Sequence, residues 1–446
     1  MSWLIRDVLI VPPTGEMPFD GWVEVVDDRI AAVGRGRREP GAGQAVIDGG
    51  GNALIPGLVN THAHSHSSLT RGSAEGMTLE KWLLAIQREQ AQLTDEQAYV
   101  GALATYAEAL LSGTTTIVDM CIRPEPALSA ACDIGIRAVI APYVADAMSF
   151  APSLERNARL LETADKEGRV RVWVGLHDLE SCSDDLVREG AKLARTHGVG
   201  VHLHCSETRL SVEKTKARVG RTPVAQLLGL GALDDHTLLA HCVWVSEEDR
   251  ALLASARTHV AHCPHANLKL ASGVAPIPDL RKRGVNVSLA TDGAKANNRL
   301  DMFDVMKFAS LLHKGVSSDP SVLPPGEILD MATRAGAAAL HLPIGAIAPG
   351  KKADLVLVQL DGFHLQPSVA DTIVTNLVHA ARGSDVAIVM VDGVVVVKDG
   401  RLTDARWEGL NARARQVGLD LLQLGQQTLT LPPQAGEGAH RVRGRH

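Results

Sequence analysis

Three histidines stand at alternate positions in the stretch GLVNTHAHSHSS, residues 57–68: His62, His64 and His66. Side chains two residues apart on an extended chain point to the same side, so His62 and His64 can bind one ion together. Imidazole nitrogens suit Zn²⁺ and related divalent cations. A polar turn rich in histidine has the same pattern, however, so the remainder of the chain must decide between metal binding and a structural turn.

Three further short apolar runs end in residues that can bind a metal or move a proton. These are VHLHCSE with His204 and Glu207, LLAHCVW with His241, and SLATDGA with Asp292. A chance origin would require the same coincidence at the end of each of these runs. A set of four ligands, His62, His64, His204 and Asp292, would leave a position for water beside the ion. Asp292 could either bind the ion or take a proton from that water.

Neighbouring residues of the same types are interpreted structurally. His202 has the same parity as His204 but lies one layer deeper in the strand, so it is predicted to line the core. Cys205 and Cys242 directly follow key histidines and point the other way, which predicts buried thiols and not ligands. His66 continues the alternation where the chain is expected to turn, and is predicted to form part of a pocket wall.

The middle of the chain, residues 57–343, alternates short β-branched runs with longer helical segments. The candidate strands lie near residues 57–61, 115–120, 137–142, 170–177, 199–204, 237–241, 258–262 and 285–291. Eight β-then-α units are typical of an α/β protein with a (β/α)8 TIM barrel, although an open doubly wound sheet has a similar pattern. In a barrel, the carboxyl ends of the strands converge on one mouth, which would bring the metal-compatible strand ends together.

Both ends of the chain differ from the middle in their sequence pattern. Residues 1–56 contain short strand-like runs with turns, such as GWVEVVDDRIAAVG, and similar runs return at about 350–402. Two β-rich ends around a different middle predict one small β-sandwich domain formed by residues 1–56 and 344–404, beside a catalytic barrel of residues 57–343. Residues 405–446 are predicted to form a terminal helix followed by a mobile tail.

Composition and charge exclude several classes of function. The formal net charge is −6 and no dense basic stretch precedes the last few residues, which argues against nucleic-acid binding. The first run, MSWLIRDVLIVPP, is interrupted by Arg6 and Asp7, so it predicts a strand and not a signal peptide. No stretch approaches the roughly 20 apolar residues of a membrane span. Six cysteines are scattered without a C-x-x-C pair, which predicts a reducing, cytoplasmic location.

Five segments together resemble the amidohydrolase superfamily. They are PGLVNTHAHSHSSLTRG, HLHCSET, AHCVWVSEED, AHCPHANLKLASG and LATDGAKANNRLDMFDVMKFASLLHK, and the resemblance covers nearly the whole chain. The most similar branch is the mononuclear-metal aminohydrolases, which includes deaminases of S-adenosylhomocysteine, methylthioadenosine and guanine, and the triazine hydrolases. Strand 4, VWVGLHD, has no carboxylated-lysine signature, so the resemblance implies one metal ion. The H-x-E and P-C-x-x-C pattern of the zinc cytidine deaminases is absent.

The resemblance implies a division of labour among the strand-end residues. The metal ligands would be His62, His64, His204 and Asp292, and the ion would be Zn²⁺, with Fe²⁺, Mn²⁺ and Co²⁺ as alternatives. Such an ion lowers the pKa of bound water to about 7, so metal-bound hydroxide would attack a ring carbon. Asp292 would accept the water proton, His241 would orient the nucleophile, and Glu207 would protonate a ring nitrogen and then the departing ammonia.

The resemblance is less informative about the substrate. Four residues are predicted to contact it: His177, Trp82, His66 and Asn297. The arginine that relatives carry after strand 3 is replaced by Pro142 and Tyr143, and the serine after the metal aspartate by Ala296. A purine or adenosine derivative, a pterin and a triazine therefore all stay open. The implied enzyme is a metal-dependent aminohydrolase that acts on C–N bonds other than peptide bonds, in cyclic amidines, as a homodimer or homotetramer.

Two other functions are open at this point. The same site could displace a different leaving group, such as chloride from a triazine or an amine from an amide- or urea-type bond, because Glu207 and the metal serve any addition–elimination at an electron-poor carbon. Alternatively, the chain could be a non-catalytic scaffold with an amidohydrolase-like fold, which the intact set of ligands argues against. A stoichiometric metal ion would separate the scaffold from both enzymes.

Overall fold

The computed structural model describes residues 2–12, 16–165 and 168–430. Its strands are β1 (Ser2–Ile10), β2 (Phe19–Val26), β3 (Arg29–Arg35), β4 (Ala45–Pro56), β5 (Leu58–Ala63), β6 (Thr114–Cys121), β7 (Arg137–Pro142), β8 (Val170–Val172), β9 (Val174–Gly175), β10 (Val201–Cys205), β11 (Thr237–His241), β12 (His259–His262), β13 (Asn286–Leu289), β14 (Leu355–Val358), β15 (Val386–Val391), β16 (Val394–Lys398) and β17 (Arg401–Leu402). The predicted mobile tail includes residues 431–446, which lie outside the described residues.

The helices connect and cover these strands. They are α1 (Leu79–Gln92), α2 (Asp95–Leu111), α3 (Pro124–Ile134), α4 (Leu154–Thr163), α5 (Asp184–His197), α6 (Arg209–Val219), α7 (Pro223–Gly229), α8 (Glu247–Ala256), α9 (Pro264–Lys269), α10 (Ile277–Lys282), α11 (Ala294–Asn297), α12 (Met302–Ser317), α13 (Pro325–Met331), α14 (Arg334–Ala339), α15 (Ile373–His379) and α16 (Leu410–Thr430). Within the described residues, none of them combines the length and apolarity that crossing a membrane requires.

The two ends of the chain meet in one eight-stranded sheet. Its strand order is β17-β16-β15-β14-β4-β1-β2-β3, so strands from the first 56 residues and strands from residues 355–402 share one hydrogen-bonded layer. The junction is the antiparallel pair of β4 and β14. The hairpin predicted from GWVEVVDDRIAAVG is present as β2 and β3, and Asp27 in its turn has the left-handed φ of +53° that a tight reversal uses.

The middle of the chain forms two parallel sheets, with strand orders β5-β6-β7-β8 and β9-β10-β11-β12-β13. The predicted fourth strand, residues 170–177, is divided between them, because β8 pairs with β7 and β9 pairs with β10. The Trp173 amide donates to Ile140, whereas the next amide, that of Val174, donates to Gly200. The chain thus changes its hydrogen-bonding neighbour from one residue to the next. No closed eight-stranded sheet forms among the described residues.

The two parallel sheets approach each other again at their other edges, where β13 lies beside β5. The Thr61 hydroxyl donates to the Leu289 carbonyl at 3.0 Å. The Asp292 amide donates to the His62 carbonyl at 2.9 Å. These bonds tie the segment after β13 to the end of β5, although the two strands belong to different sheets.

Local sequence sets the ends of the helices that connect the parallel strands. Thr94 caps α2: its hydroxyl accepts from the Gln97 amide, and the Gln97 side chain accepts from the Thr94 amide. Ser183 caps α5 by accepting from the Leu186 amide, and Gly198 ends this helix with a φ of +67°. The apolar faces of the helices and the outer faces of the strands form one large buried core. The strand ends are therefore held on a packed framework.

A buried ion cluster joins the parallel strands to the eight-stranded sheet. Arg137 begins β7, and its guanidinium donates to both carboxylate oxygens of Asp354, at 2.7 and 2.9 Å. It also donates to Asp392. The side chains of Arg137 and Asp354 are only 3% and 1% exposed. Because a guanidinium that binds a carboxylate through two bonds has a defined geometry, this cluster orients β7 against the eight-stranded sheet.

Replacing Arg137 by methionine should lower the free energy of unfolding by about 3–5 kcal/mol, because Asp354 and Asp392 are then left without their buried cation. Denaturant unfolding measures this change. Arg188→Met is the matched control, since its ion pair with Asp185 lies at the surface and should contribute about 0–1 kcal/mol. Equal unfolding midpoints for the two variants would contradict a structural role for the Arg137 cluster.

Candidate active site

The predicted residues from four strand ends lie close together. His62 and His64 come from the end of β5, and their ring centroids are 4.7 Å apart. His204 comes from β10, with its ring 4.9 Å from that of His62. His241 ends β11, and its ring is stacked 5.4 Å from that of His204. Asp292 follows β13, and its carboxylate lies beside the rings of His62 and His64. The structure therefore brings together the candidates that the sequence distributes over the chain.

Two of these histidines use Nδ1 in a hydrogen bond to the backbone. His64 Nδ1 donates to the Met120 carbonyl at 2.7 Å. His204 Nδ1 donates to the His177 carbonyl, also at 2.7 Å. A carbonyl oxygen only accepts, so Nδ1 carries the hydrogen in both rings. Burial lowers the pKa of both imidazoles, so they are neutral and their Nε2 atoms have bare lone pairs.

The ring nitrogens of three histidines are arranged as they would be around a bound cation. The Nε2 atoms of His64 and His204 lie 3.3 Å apart, and neither carries a hydrogen that could sit between them. His62 Nε2 is a further buried nitrogen without a hydrogen-bond partner. One ring nitrogen of each of the three histidines lies within 4.8 Å of the others. Neutral imidazoles with free, convergent nitrogens are a donor set for Zn²⁺ and similar ions, so these residues fit a divalent metal.

Asp292 adds a carboxylate to this group. Its Oδ1 atom lies 3.5 Å from His64 Nε2 and 3.8 Å from His62 Nε2. Its φ is +63°, an uncommon conformation for a residue with a side chain, which the surrounding structure must impose. The next residue, Gly293, passes so near the segment that follows β5 that an added Cβ would lie 3.0 Å from His64 Cβ. The backbone after β13 is thus shaped to bring this carboxylate to the histidines.

Glu207 and His241 form a pair beside the histidines. Glu207 Oε2 lies 3.6 Å from His241 Nε2, and Glu207 Oε1 accepts from the Ser272 hydroxyl at 3.3 Å. Burial raises the pKa of the Glu207 carboxyl, and His241 partly counteracts this. A carboxyl with a raised pKa keeps its proton to a higher pH than usual and can deliver it to a reacting atom. His241 itself has a φ of +74°, and its Nδ1 atom is bonded to the Asn267 side chain at 2.8 Å.

Two adjoining cavities lead to this group and share part of their walls. The inner chamber is narrow, about 50 Å³, and its wall includes Glu207, His241 and Asp292. The outer cavity is wide, about 890 Å³. Of the predicted substrate contacts, His66, Trp82 and His177 line the inner chamber. His177 also lines the outer cavity, so it stands where the two meet.

Asn297, the fourth predicted substrate contact, lies elsewhere. It is in the short helix α11, is not among the residues that line either cavity, and its buried amide has no hydrogen-bond partner. It follows Asp292 closely in sequence, but it stands at the end of α11 and is not part of the chamber wall. His265 is also outside both cavities. Its ring stacks on Phe308 at 4.2 Å and lies 3.5 Å from Asp304.

Three residues at the site are not among the predicted site residues. Tyr143 lines the inner chamber, Gln90 Nε2 contacts His66 Nε2 at 3.1 Å, and Asn267 bonds to His241. Asn267 belongs to the segment AHCPHANLKLASG, which forms part of the family resemblance. Its contact with His241 is visible only in the structure. Gln90 lies there because α1 folds over the chamber.

Comparison with known proteins identifies similar chains. The Amidohydrolase family pattern matches residues 53–396. A 5-methylthioadenosine/S-adenosylhomocysteine deaminase of Moorella thermoacetica is 40% identical over 407 residues, which are 90% of this chain and 95% of that protein. An adenosine deaminase from Xanthomonas campestris, solved with bound zinc, has a TM-score of 0.89 and 30% identity, and covers 94% of this chain and 98% of its own. An atrazine chlorohydrolase from Arthrobacter aurescens TC1, complexed with zinc, has a TM-score of 0.86 and 25% identity, and covers 93% of this chain and 100% of its own.

The family match covers more than half of the chain and includes all the strand ends that meet at the histidines. The similar proteins align over nearly their full length, so the match extends to the eight-stranded sheet as well. The resemblance seen in the sequence is thereby confirmed, and so is the mixed α/β architecture that it implied. This protein is a member of the amidohydrolase family.

Proposed function

We propose that this protein is a metal-dependent aminohydrolase that removes an amino group from a planar N-heterocycle and releases ammonia. The observation that carries the proposal is the convergence of three free imidazole nitrogens beside Glu207, a buried carboxyl with a raised pKa. The names of two similar proteins, a 5-methylthioadenosine/S-adenosylhomocysteine deaminase and an adenosine deaminase, support this reaction. The protein is accordingly a hydrolase of C–N bonds other than peptide bonds.

The proposed ligands of one divalent ion are His62, His64, His204 and Asp292. Zinc is the first choice, because the similar adenosine deaminase structure contains zinc. When bound, such an ion lowers the pKa of a water molecule to about 7 and so supplies hydroxide at neutral pH. Fe²⁺, Mn²⁺ and Co²⁺ suit the same nitrogen and oxygen donors and are the alternatives.

The proton transfers belong to side chains of the protein. Asp292 accepts the proton of the attacking water, and His241, held by Asn267, orients that water. Glu207 donates its proton to the ring nitrogen next to the attacked carbon, which makes this carbon more electrophilic. The carbon then bears both a hydroxyl and an amino group. Glu207 takes up the proton of this hydroxyl and passes it to the amino group, which leaves as ammonia, so the C–NH₂ group becomes C=O. The proton held by Asp292 then returns to Glu207.

An adenosine derivative is the proposed substrate class, with pterins and triazines as smaller alternatives. The ring would enter the inner chamber, where His66, Trp82 and His177 line the wall. A substituent on the ring would extend into the outer cavity of about 890 Å³. The wall of this cavity carries an ion pair of Lys214 and Glu180, 2.6 Å apart, that could contact polar groups of the substituent. The name of the Moorella thermoacetica relative supports a nucleoside with a large substituent.

We further propose that the two parallel sheets are the two parts of a (β/α)8 barrel. The order of β5 to β13 and the hydrogen bonds between the edges of the sheets support this arrangement. Residues 1–56 and 344–404 would then form the β-sandwich domain, residues 57–343 the barrel, and residues 405–446 a C-terminal appendage. The cytoplasmic location and the homodimeric or homotetrameric state stay predictions.

Ammonia release across a substrate panel tests the proposed function, provided that the metal content of the same sample is measured. The panel contains methylthioadenosine, S-adenosylhomocysteine and adenosine, together with guanine, a pterin and an aminotriazine. We expect bound divalent metal and a kcat/KM of at least about 10⁴ M⁻¹s⁻¹ for one adenosine derivative. A fully loaded protein that releases ammonia from no member of the panel would contradict the proposal.

Displacement of another leaving group is the second candidate, and the similarity to an atrazine chlorohydrolase favours it. Protonation by Glu207 next to an electron-poor carbon would assist the departure of chloride or an alkylamine as well as ammonia. Measuring chloride and alkylamine release from a chlorotriazine and an alkylaminotriazine distinguishes this activity. A non-catalytic scaffold is the third candidate, and it requires that the purified protein contain no stoichiometric metal.

A further inference from the structure

A histidine that the sequence places in the core lies directly behind one of the proposed ligands. His202 Nε2 is 2.8 Å from His62 Nδ1, and His202 Nδ1 is 2.9 Å from the Leu238 carbonyl oxygen. Neither imidazole has any exposed surface. The two rings thus form a chain of hydrogen bonds that begins at a backbone carbonyl of β11 and ends at His62 Nε2, the buried nitrogen without a partner.

The direction of each bond in this chain is determined by its first member. The Leu238 carbonyl can only accept, so His202 Nδ1 carries a hydrogen. In the neutral ring, His202 Nε2 is then an acceptor. His62 Nδ1 must therefore be the donor, which leaves His62 Nε2 as a bare lone pair that faces His64 and Asp292.

His62 differs in this respect from the two other histidines of the group. His64 and His204 donate from Nδ1 to backbone carbonyls, and a backbone carbonyl is present whichever residue occupies the acceptor position. The corresponding partner of His62 is a side chain, and only a residue that accepts a hydrogen bond can fill this role.

We propose that His202 is a positioning residue that fixes the Nδ1–H form of His62 and so keeps His62 Nε2 available as a metal ligand. The inference rests on the proposed metal site but not on the proposed reaction. The register of the sheet explains how β10 supplies this residue. His202 lies opposite Leu238 of β11, and His204 follows two residues later on the same face, so one strand contributes a ligand and the group that orients another ligand.

Two substitutions distinguish the effect of the hydrogen-bond acceptor of His202 from the effect of its side-chain volume. His202→Leu fills much of the space but leaves His62 Nδ1 without an acceptor, and should raise the Kd for Zn²⁺ by about 10- to 100-fold. His202→Gln retains an acceptor and a donor in one side chain, and its Kd should stay close to that of the parent. Competition with a chromophoric chelator measures these constants. A parental Kd for His202→Leu, or equal Kd values for the two variants, would overturn the proposal.

A buried histidine away from the site provides the matched control. His259 begins β12, a strand that carries none of the proposed ligands, and its ring is hydrogen-bonded to the Asp235 carbonyl at 3.0 Å. His259→Leu also removes a buried imidazole, but it should leave the Kd for Zn²⁺ unchanged. An increase in Kd equal to that of His202→Leu would show that loss of packing, and not loss of the acceptor, weakens metal binding, and would also overturn the proposal.

A measurement on the unsubstituted protein keeps the proposal testable even if His202→Leu does not fold. Long-range ¹H–¹⁵N correlation spectra of the zinc-loaded protein, labelled with ¹⁵N-histidine, distinguish protonated from bare ring nitrogens, and the spectrum of His202→Gln identifies the His202 signals. We expect His202 to have a protonated Nδ1 and a bare Nε2. The reverse form would overturn the proposal. Because no part of these tests uses the deamination assay, a failure of the proposed reaction stays distinguishable from a failure of this inference.

Discussion

Replacing Glu207 by glutamine is expected to lower kcat by about 10²- to 10⁴-fold while the metal content stays that of the parent. The amide has nearly the same shape and can keep the contact with Ser272, but it has no acidic proton to give to the ring nitrogen of the substrate. Glu207 is not one of the convergent metal-binding groups, so its loss should not release the ion. Steady-state ammonia release and elemental analysis of the same preparation measure both quantities.

Glu213→Gln is the matched control for this experiment. Glu213 lies on α6, close to Glu207 in sequence, but its side chain is exposed and lines neither cavity. Its substitution should leave kcat and metal content at parental values. A kcat for Glu207→Gln within a few-fold of the parent would remove Glu207 from the proposed role of proton donor.

Replacing His204 by alanine is expected to abolish both stoichiometric metal binding and activity, with a loss in kcat/KM of at least about 10³-fold. The substitution removes one of the two Nε2 atoms that face each other at 3.3 Å, and with it the geometry that fits a cation. This result would differ in kind from that of Glu207→Gln, in which only the rate falls. Metal content after dialysis against a weak chelator, together with kcat/KM, measures the effect.

His259→Ala serves as the control, because it removes a buried histidine at the start of β12, a strand that carries none of the proposed ligands. It should lower stability but keep the metal. Full metal content in His204→Ala would show that His204 is not a ligand. Loss of metal in both variants would instead indicate that destabilisation alone empties the site.

Much of the strand arrangement was predictable because buried parallel strands have a distinct composition. The runs at residues 137–142 and 237–241 are β7 and β11 with the predicted bounds, and the other runs overlap strands closely. Their side chains are buried on both faces, so their central residues, AVIA and LLA, are all apolar. Helix ends were also visible, since caps such as Ser183 and Gly198 act through their immediate neighbours.

The division of the middle into two sheets was not predictable. The switch at Trp173 depends on which neighbouring strand offers its carbonyl to each amide, and no pattern in residues 170–177 encodes that choice. The prediction that Asn297 contacts the substrate likewise depends on a position that the tertiary structure sets. Its distance from Asp292 along the chain is short, but the intervening turn of α11 decides where its side chain lies.

The sequence by itself determined which residues could meet at the site. Alternation along an extended chain puts His62 and His64 on one side, and does the same for His202 and His204, without help from any distant part of the protein. Only the tertiary structure decided the hydrogen-bond partner of each histidine. The free nitrogen of His62 depends on His202, 140 residues away, and the role of His202 depends in turn on the Leu238 carbonyl. Alternation is a property of one strand, whereas the position of a hydrogen on an imidazole is set by the partner across the sheet.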